Sequence, residues 1–155
     1  ERLSLTVGGF LQRKAGPMKV QDIMHRGATA LEVDATATEL ARRMRDDDVG
    51  AIPIRENSHI VGVVTDRDIA CRVAAKGADP DAITAGDIMT ENPVFCGPED
   101  NVADALELMQ LRRIRRLPVM ESGRLVGMLS LGDVCFAMDE RSTVDTLRAV
   151  ATHHA

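Results

Sequence analysis

The chain has 155 residues, 45% of them apolar and 28% charged, which is room for one ordinary domain or two small ones sharing a core, and too little for most multidomain enzymes. Lys and Arg number 19 against 24 Asp and Glu, a net charge of −5, which argues against a general nucleic-acid or anionic-membrane binder because phosphate affinity needs a basic footprint. Trp and Tyr are absent, Phe stands only at positions 10, 95 and 136, and the apolar runs 60–64 and 125–129 fall far short of the roughly 18 residues of a membrane span.

Residues 1–17 read as an N-terminal tail or extension, with no signal-peptide layout. The three cysteines, Cys71, Cys96 and Cys135, form no C-x-x-C pair, so the expected setting is reducing and cytoplasmic. Beyond the tail, an offset of 65 aligns residues 20–69 with 85–134 without a gap. Asp22-Ile23-Met24 falls on Asp87-Ile88-Met89, Met44 on Met109, Pro53 on Pro118, Val61-Gly62 on Val126-Gly127 and Asp68 on Asp133. Two copies of one design suggest a paired, pseudo-symmetric unit rather than a repeat array.

The elements can be read once and applied twice. Short strands are expected at 30–33 and 94–97. Ala37, Leu40, Ala41 and Met44, matched by Val102, Ala105, Leu106 and Met109, trace the apolar face of a helix. Thr36 with Glu39, and Asn101 with Asp104, are expected to cap it. Strands follow at 51–55 and 116–120, then polar turns, then strands 60–64 and 125–129, which are apolar on both faces and so belong inside a sheet. A second helix starts near Asp66 or Leu131, the first ending by Gly77 and the second running towards Glu140. A last helix is expected over 144–154.

Each copy therefore reads β-α-β-β-α, an α/β (α+β) unit, and two such units bury their apolar faces best by packing sheet to sheet about a pseudo-twofold axis. The expected division is a tail (1–17), a first repeat (18–80), a second repeat (81–140) and a C-terminal helix (141–155).

Each copy ends its inner strand with a hydroxyl residue and an Asp three positions later: Thr65 and Asp68, Ser130 and Asp133. The pattern is a capping box, which needs no ligand. The same geometry suits a nucleotide, since free N–H groups favour phosphate and a carboxylate can accept from ribose hydroxyls. Gly62 and Gly127 would allow close approach.

Taken together, Asp22-Ile23-Met24 and Asp87-Ile88-Met89-Thr90, the strings 49–54 and 114–119, and the two Gly-h-x-Ser/Thr-x-x-Asp endings resemble a tandem pair of CBS (cystathionine β-synthase) domains, a Bateman module, over about residues 18–140. The duplicated order is similar to that of small stand-alone bacterial CBS-pair signalling proteins, including the hypoxic-response type. The resemblance implies regulation by adenosyl ligands (AMP, ADP, ATP, NAD or S-adenosylmethionine) held in clefts between the repeats, and a homodimer. Thr65, Asp68, Ser130 and Asp133 match its phosphate- and ribose-binding positions. Arg115 and Arg116 match its basic phosphate positions, Thr90, Pro93, Val94 and Phe95 the segment that meets adenine or ribose, and Val49, Pro53, Ile114 and Pro118 the apolar walls.

The halves differ where Gly50-Ala51 stands in place of Arg115-Arg116, and His25 in place of Thr90. The cleft reached by the arginines is expected to be the better phosphate site, although arginines at a helix end also complement its negative pole. Asp46-Asp47-Asp48 reads as a solvated face rather than a Mg²⁺ site, and His25, His59, His153 and His154 do not stand at metal-ligand spacings. Phe95 is open to two readings, adenine stacking or core. The cysteines read as buried hydrophobes, with a minor possibility that an exposed Cys96 senses oxidants.

No nucleophile elbow, P-loop lysine or paired metal motif is present, so the expectation is a non-catalytic module that requires no metal; that it binds an adenine-containing small molecule is what the resemblance implies. Its other partner would be an unknown protein, with neither membrane nor nucleic acid involved. The alternative is an interaction or stress-response module with empty clefts.

Overall fold

Thr36 opens the first long helix as its sequence dictates: its Oγ1 accepts from the Glu39 N–H at 3.2 Å while the Glu39 carboxylate accepts from the Thr36 N–H at 2.8 Å. In the computed structural model, which describes residues 17–137, this helix is the second of six. The order is α1 (Val20–Ile23), β1 (His25–Arg26), β2 (Leu31–Glu32), α2 (Ala37–Asp46), β3 (Ala51–Glu56), β4 (His59–Thr65) and α3 (Asp66–Arg72). A 3₁₀ turn (Ala74–Lys76) leads to α4 (Ala85–Ile88), β5 (Thr90–Glu91), α5 (Val102–Arg112), β6 (Arg116–Glu121), β7 (Arg124–Ser130) and α6 (Leu131–Ala137). The tail and the final expected helix lie outside the described residues, apart from Pro17.

The strands form two packed sheets, ordered β2-β3-β4-β5 and β1-β7-β6. In each, the hairpin carries a bulge at the same place, Ile54/Arg55 and Val119/Met120. The hairpin turns place Asn57 and Ser58, and Ser122 and Gly123, at positive φ, the twist that a two-residue loop needs. As their two-sided apolar pattern requires, β4 and β7 lie inside the sheets.

What closes each sheet comes from the other half of the chain. Strand β5 pairs with β4 (Val63 with Thr90), and β1 pairs with β7 (His25 with Met128). The short leading helices cross over in the same way. Val20 and Met24 are buried with Met109, Leu117, Val119, Leu129 and Val134, while Ala85 and Ile88 are buried with Leu40, Ile52, Ile54 and Val64. Each Leu- or Ile-sized side chain so buried contributes about 1.5–3 kcal/mol, so an exchanged helix is a substantial part of its host core. The backbone links repeat the exchange, Val20 N–H to Asp100 C=O at 2.9 Å and Ala85 N–H to Ala35 C=O at 2.7 Å.

Three local expectations need correction. The strand at 30–33 shrinks to Leu31–Glu32, and that at 94–97 to a single parallel bridge between Cys96 and Val119. Asn101 does not cap α5 with its side chain, because Lys19 Nζ, arriving from the other half, takes its Oδ1 at 3.3 Å. Cys71 is exposed, against the expectation of buried cysteines, whereas Cys96 is buried as expected, at 6% exposure.

Candidate functional site

The two strand-to-helix junctions are built alike. Thr65 donates to Asp68 Oδ2 through its N–H at 2.8 Å and its hydroxyl at 2.7 Å, and its Oγ1 accepts the Asp68 N–H at 3.2 Å. Ser130 makes the same three bonds with Asp133, at 2.8, 2.6 and 3.1 Å. Both pairs are therefore complete capping boxes, and each commits one carboxylate oxygen to its own helix.

The second oxygens differ. Asp68 Oδ1 lies 3.4 Å from Arg72 Nη2, whereas Asp133 Oδ1 has no partner among the described residues. Arg72 was not singled out by sequence motif; its position four residues after Asp68 on one helix was the signal that could have found it.

The basic residues stand where the halves meet. Arg116 is the register partner of Ser130 across β6 and β7, and its guanidinium extends over Gly50 of the first half. A Cβ at Gly50 would lie 2.5 Å from Arg116 Nη2 and 2.9 Å from Asp66 Oδ2, so the glycine makes room for the arginine. Arg115 is exposed, and its carbonyl accepts the Leu131 N–H at 2.8 Å. Neither guanidinium has a hydrogen-bond or ion-pair partner among the described residues.

The remaining residues spread from this point. Val94 and Ile114 pack half-buried against one core, together with Leu131, and Val49 against the other. Thr90 is exposed on β5, Pro93 half-buried, and Phe95 is 39% exposed outside any strand, so it is not core. Pro53 and Pro118 are fully buried, so their rings support the cleft walls from within instead of presenting surface. Asp46, Asp47 and Asp48 are exposed, and Arg43 pairs with Asp47 at 2.7 Å.

Two hollows lie away from these residues. One of about 590 Å³ is lined by Met18, Val102, Leu106 and Gln110 beside α5, and one of about 510 Å³ by Ala37, Ala41, Ile69 and Val73 beside α2. Burial and the nearby Asp100 carboxylate push the Cys96 thiol up from 9.0 to about 11, so it is a thiol, not a thiolate, at neutral pH. The bonds from Thr84 lower the Asp87 carboxyl. Among the described residues no group of three His, Cys, Asp or Glu side chains could hold a metal ion, and no helix is long and apolar enough to cross a membrane.

The CBS domain family model matches residues 20–75 and again 85–140. The chain belongs to the CBS-domain family. Among relatives of this CBS pair, Hypoxic response protein 1 of Mycobacterium tuberculosis is 32% identical over 133 residues, which span 85% of this chain and 93% of that protein. A crystal structure of Hypoxic Response Protein I with two coordinated zinc ions matches with a TM-score of 0.69 at 32% identity, over 79% of this chain and all of that one. A hexameric CBS-CP12 protein from bloom-forming cyanobacteria matches with a TM-score of 0.76 at 28% identity, covering 83% of this chain and 76% of its own.

Proposed function

We propose that this CBS pair is a non-catalytic regulatory module that binds an adenosyl ligand, of the AMP, ADP, ATP, NAD or S-adenosylmethionine class, between its two halves. The observation that carries this reading is the Arg116 guanidinium at the junction of the halves, which has no partner among the described residues, on the strand register of Ser130 and next to a cap whose Asp133 Oδ1 likewise has none among them. A guanidinium that forms no ion pair among the described residues suits phosphate, although the Asp66 carboxylate also lies beside Gly50. A carboxylate oxygen without a donor suits a ribose hydroxyl.

In this reading Arg116 and Arg115 hold the phosphate, Ser130 donates to it, and Asp133 accepts from the ribose. Val94 and Ile114, backed by Pro118, offer apolar surface to the base, with Pro93, Phe95 and Thr90 at the edge. Thr65 and Asp68, with Val49 and backed by the buried Pro53, form the corresponding wall in the first half. The module acts in the cytoplasm as a homodimer and regulates a separate protein, because ligand shifts an equilibrium only through unequal affinity for two arrangements.

A second reading is an interaction module with vacant clefts, favoured by the hollows beside α2 and α5, which lie away from Arg116. The zinc-bound relative is in tension with a metal-free module, so zinc belongs in the test.

The purified chain lacks Trp and Tyr, so a bound adenine compound stands out at 260 nm. Thermal shift with AMP, ATP, NAD, S-adenosylmethionine and zinc follows, since a ligand selective for the native state raises Tm by mass action. The nucleotide reading predicts a rise with at least one adenosyl compound that Asp133→Ala largely removes. No rise with any of them favours the interaction module, and a rise with zinc alone favours a metal-dependent one.

A further inference from the structure

The two cap carboxylates are alike on Oδ2 and unlike on Oδ1. Asp68 Oδ1 faces Arg72 Nη2 at 3.4 Å, with the Asp68 side chain 14% exposed and the Arg72 side chain 42% exposed, so water reaches the pair from the arginine side. The residue that stands 65 positions after Arg72 is Ala137, which brings no charge to Asp133.

Arg72 is itself tied down. Its Nη1 donates to the carbonyls of Ile88 and Met89, the latter at 3.2 Å, at the end of α4 and immediately before Thr90. The guanidinium thus joins α3, the Asp68 carboxylate and the segment that enters β5. Arg26, on β1, donates through Nη2 to the Gln21 carbonyl at 3.0 Å and not to Asp133.

Building on the nucleotide reading above, we propose that Arg72 closes the first cleft to ribose, so that the chain binds one adenosyl ligand, in the second cleft, through Asp133. A ribose hydroxyl seeking Asp68 Oδ1 would have to share it with, or displace, the Arg72 guanidinium, which the Ile88 and Met89 carbonyls hold in place. At Asp133 Oδ1 no described residue has to be displaced. The halves also differ in register, Arg116 standing opposite Ser130 and Ala51 opposite Thr65, while the Arg116 guanidinium itself reaches over Gly50 beside Asp66 of the first half. Arg72 is a specificity-determining residue, and the sequence duplication conceals an inequality of function.

Calorimetric titration of the full chain with AMP tests this, with circular dichroism confirming that each variant folds. Wild type is expected to take up one AMP per chain. Arg72→Ala and the milder Arg72→Gln are both expected to take up two. Asp133→Ala, with Asp133→Asn as a milder partner, weakens the single wild-type site by at least about 10-fold, the loss expected for a hydrogen bond to a charged group. Two equal sites in wild type, or one site that survives Asp133→Ala, would overturn the inference alone. Absence of binding by AMP, ATP and NAD in wild type and Arg72→Ala alike would overturn the nucleotide reading, and this inference with it.

Discussion

Met89 lies over Gly62 so closely that its side chain occupies the space a Cβ there would need. The counterpart in the other half is tighter in kind: a Cβ at Gly127 would stand 2.6 Å from the His25 carbonyl oxygen, part of the backbone of β1, and 3.1 Å from Met24 Sδ. A methionine can swing aside, but a paired strand cannot. Gly127→Ala is therefore expected to cost more than Gly62→Ala, about 1–3 kcal/mol for overpacking of this kind. Urea denaturation of the two variants measures the order, and equal losses would show that β1 is not held against β7.

Gly50→Ala separates folding from binding. The added methyl meets mainly the far end of the flexible Arg116 side chain, so stability should change by less than about 1 kcal/mol. The guanidinium, however, must move. Nucleotide affinity should fall in the same variant, as it should in Arg116→Ala. A thermal shift measured with and without AMP reads both quantities; full affinity in Gly50→Ala would mean that Arg116 does not need its place over the glycine.

Much of this arrangement was legible in the sequence. The offset of 65 announced two halves, helical spacing gave α2 and α5, and the Thr65 and Ser130 junctions form as capping boxes in the way their spacing implied. The exchanged pieces were not legible. Helices α1 and α4 have four residues each and β1 and β5 two, too few for any period to show, and their pairing with the far half is a long-range choice with no local signal. The same holds for Lys19, whose reach across to Asn101 takes the oxygen meant for a cap. The directions of the Arg116 and Arg72 side chains likewise depend on what the opposite half presents.

Cys96 should resist alkylation while the chain is folded. Cys71 is exposed and should react first with iodoacetamide near pH 8, Cys96 only after denaturation. Since the thiol is raised from 9.0 to about 11, the folded state keeps a proton that the unfolded chain has lost between those values. Stability from this group is accordingly full below pH 9 and declines as the pH climbs towards 11. Denaturant midpoints across that window should fall more steeply for wild type than for Cys96→Ala; parallel profiles would place the thiol in contact with water.

Thr36→Ala removes the oxygen that receives the Glu39 N–H and should destabilise the chain by about 1 kcal/mol. Asn101→Ala should cost less at the helix itself, because the Asn101 side chain makes no cap bond. Thermal denaturation distinguishes them. If Asn101→Ala proved the more harmful, the Lys19 contact would be the stronger anchor.

Because each half borrows its leading helix and a strand from the other, a cut between them would leave two fragments, each missing a wall of its own interior. Neither could be inherited, deleted or melted separately. Whatever loosens one interior would loosen the other through the piece it lends.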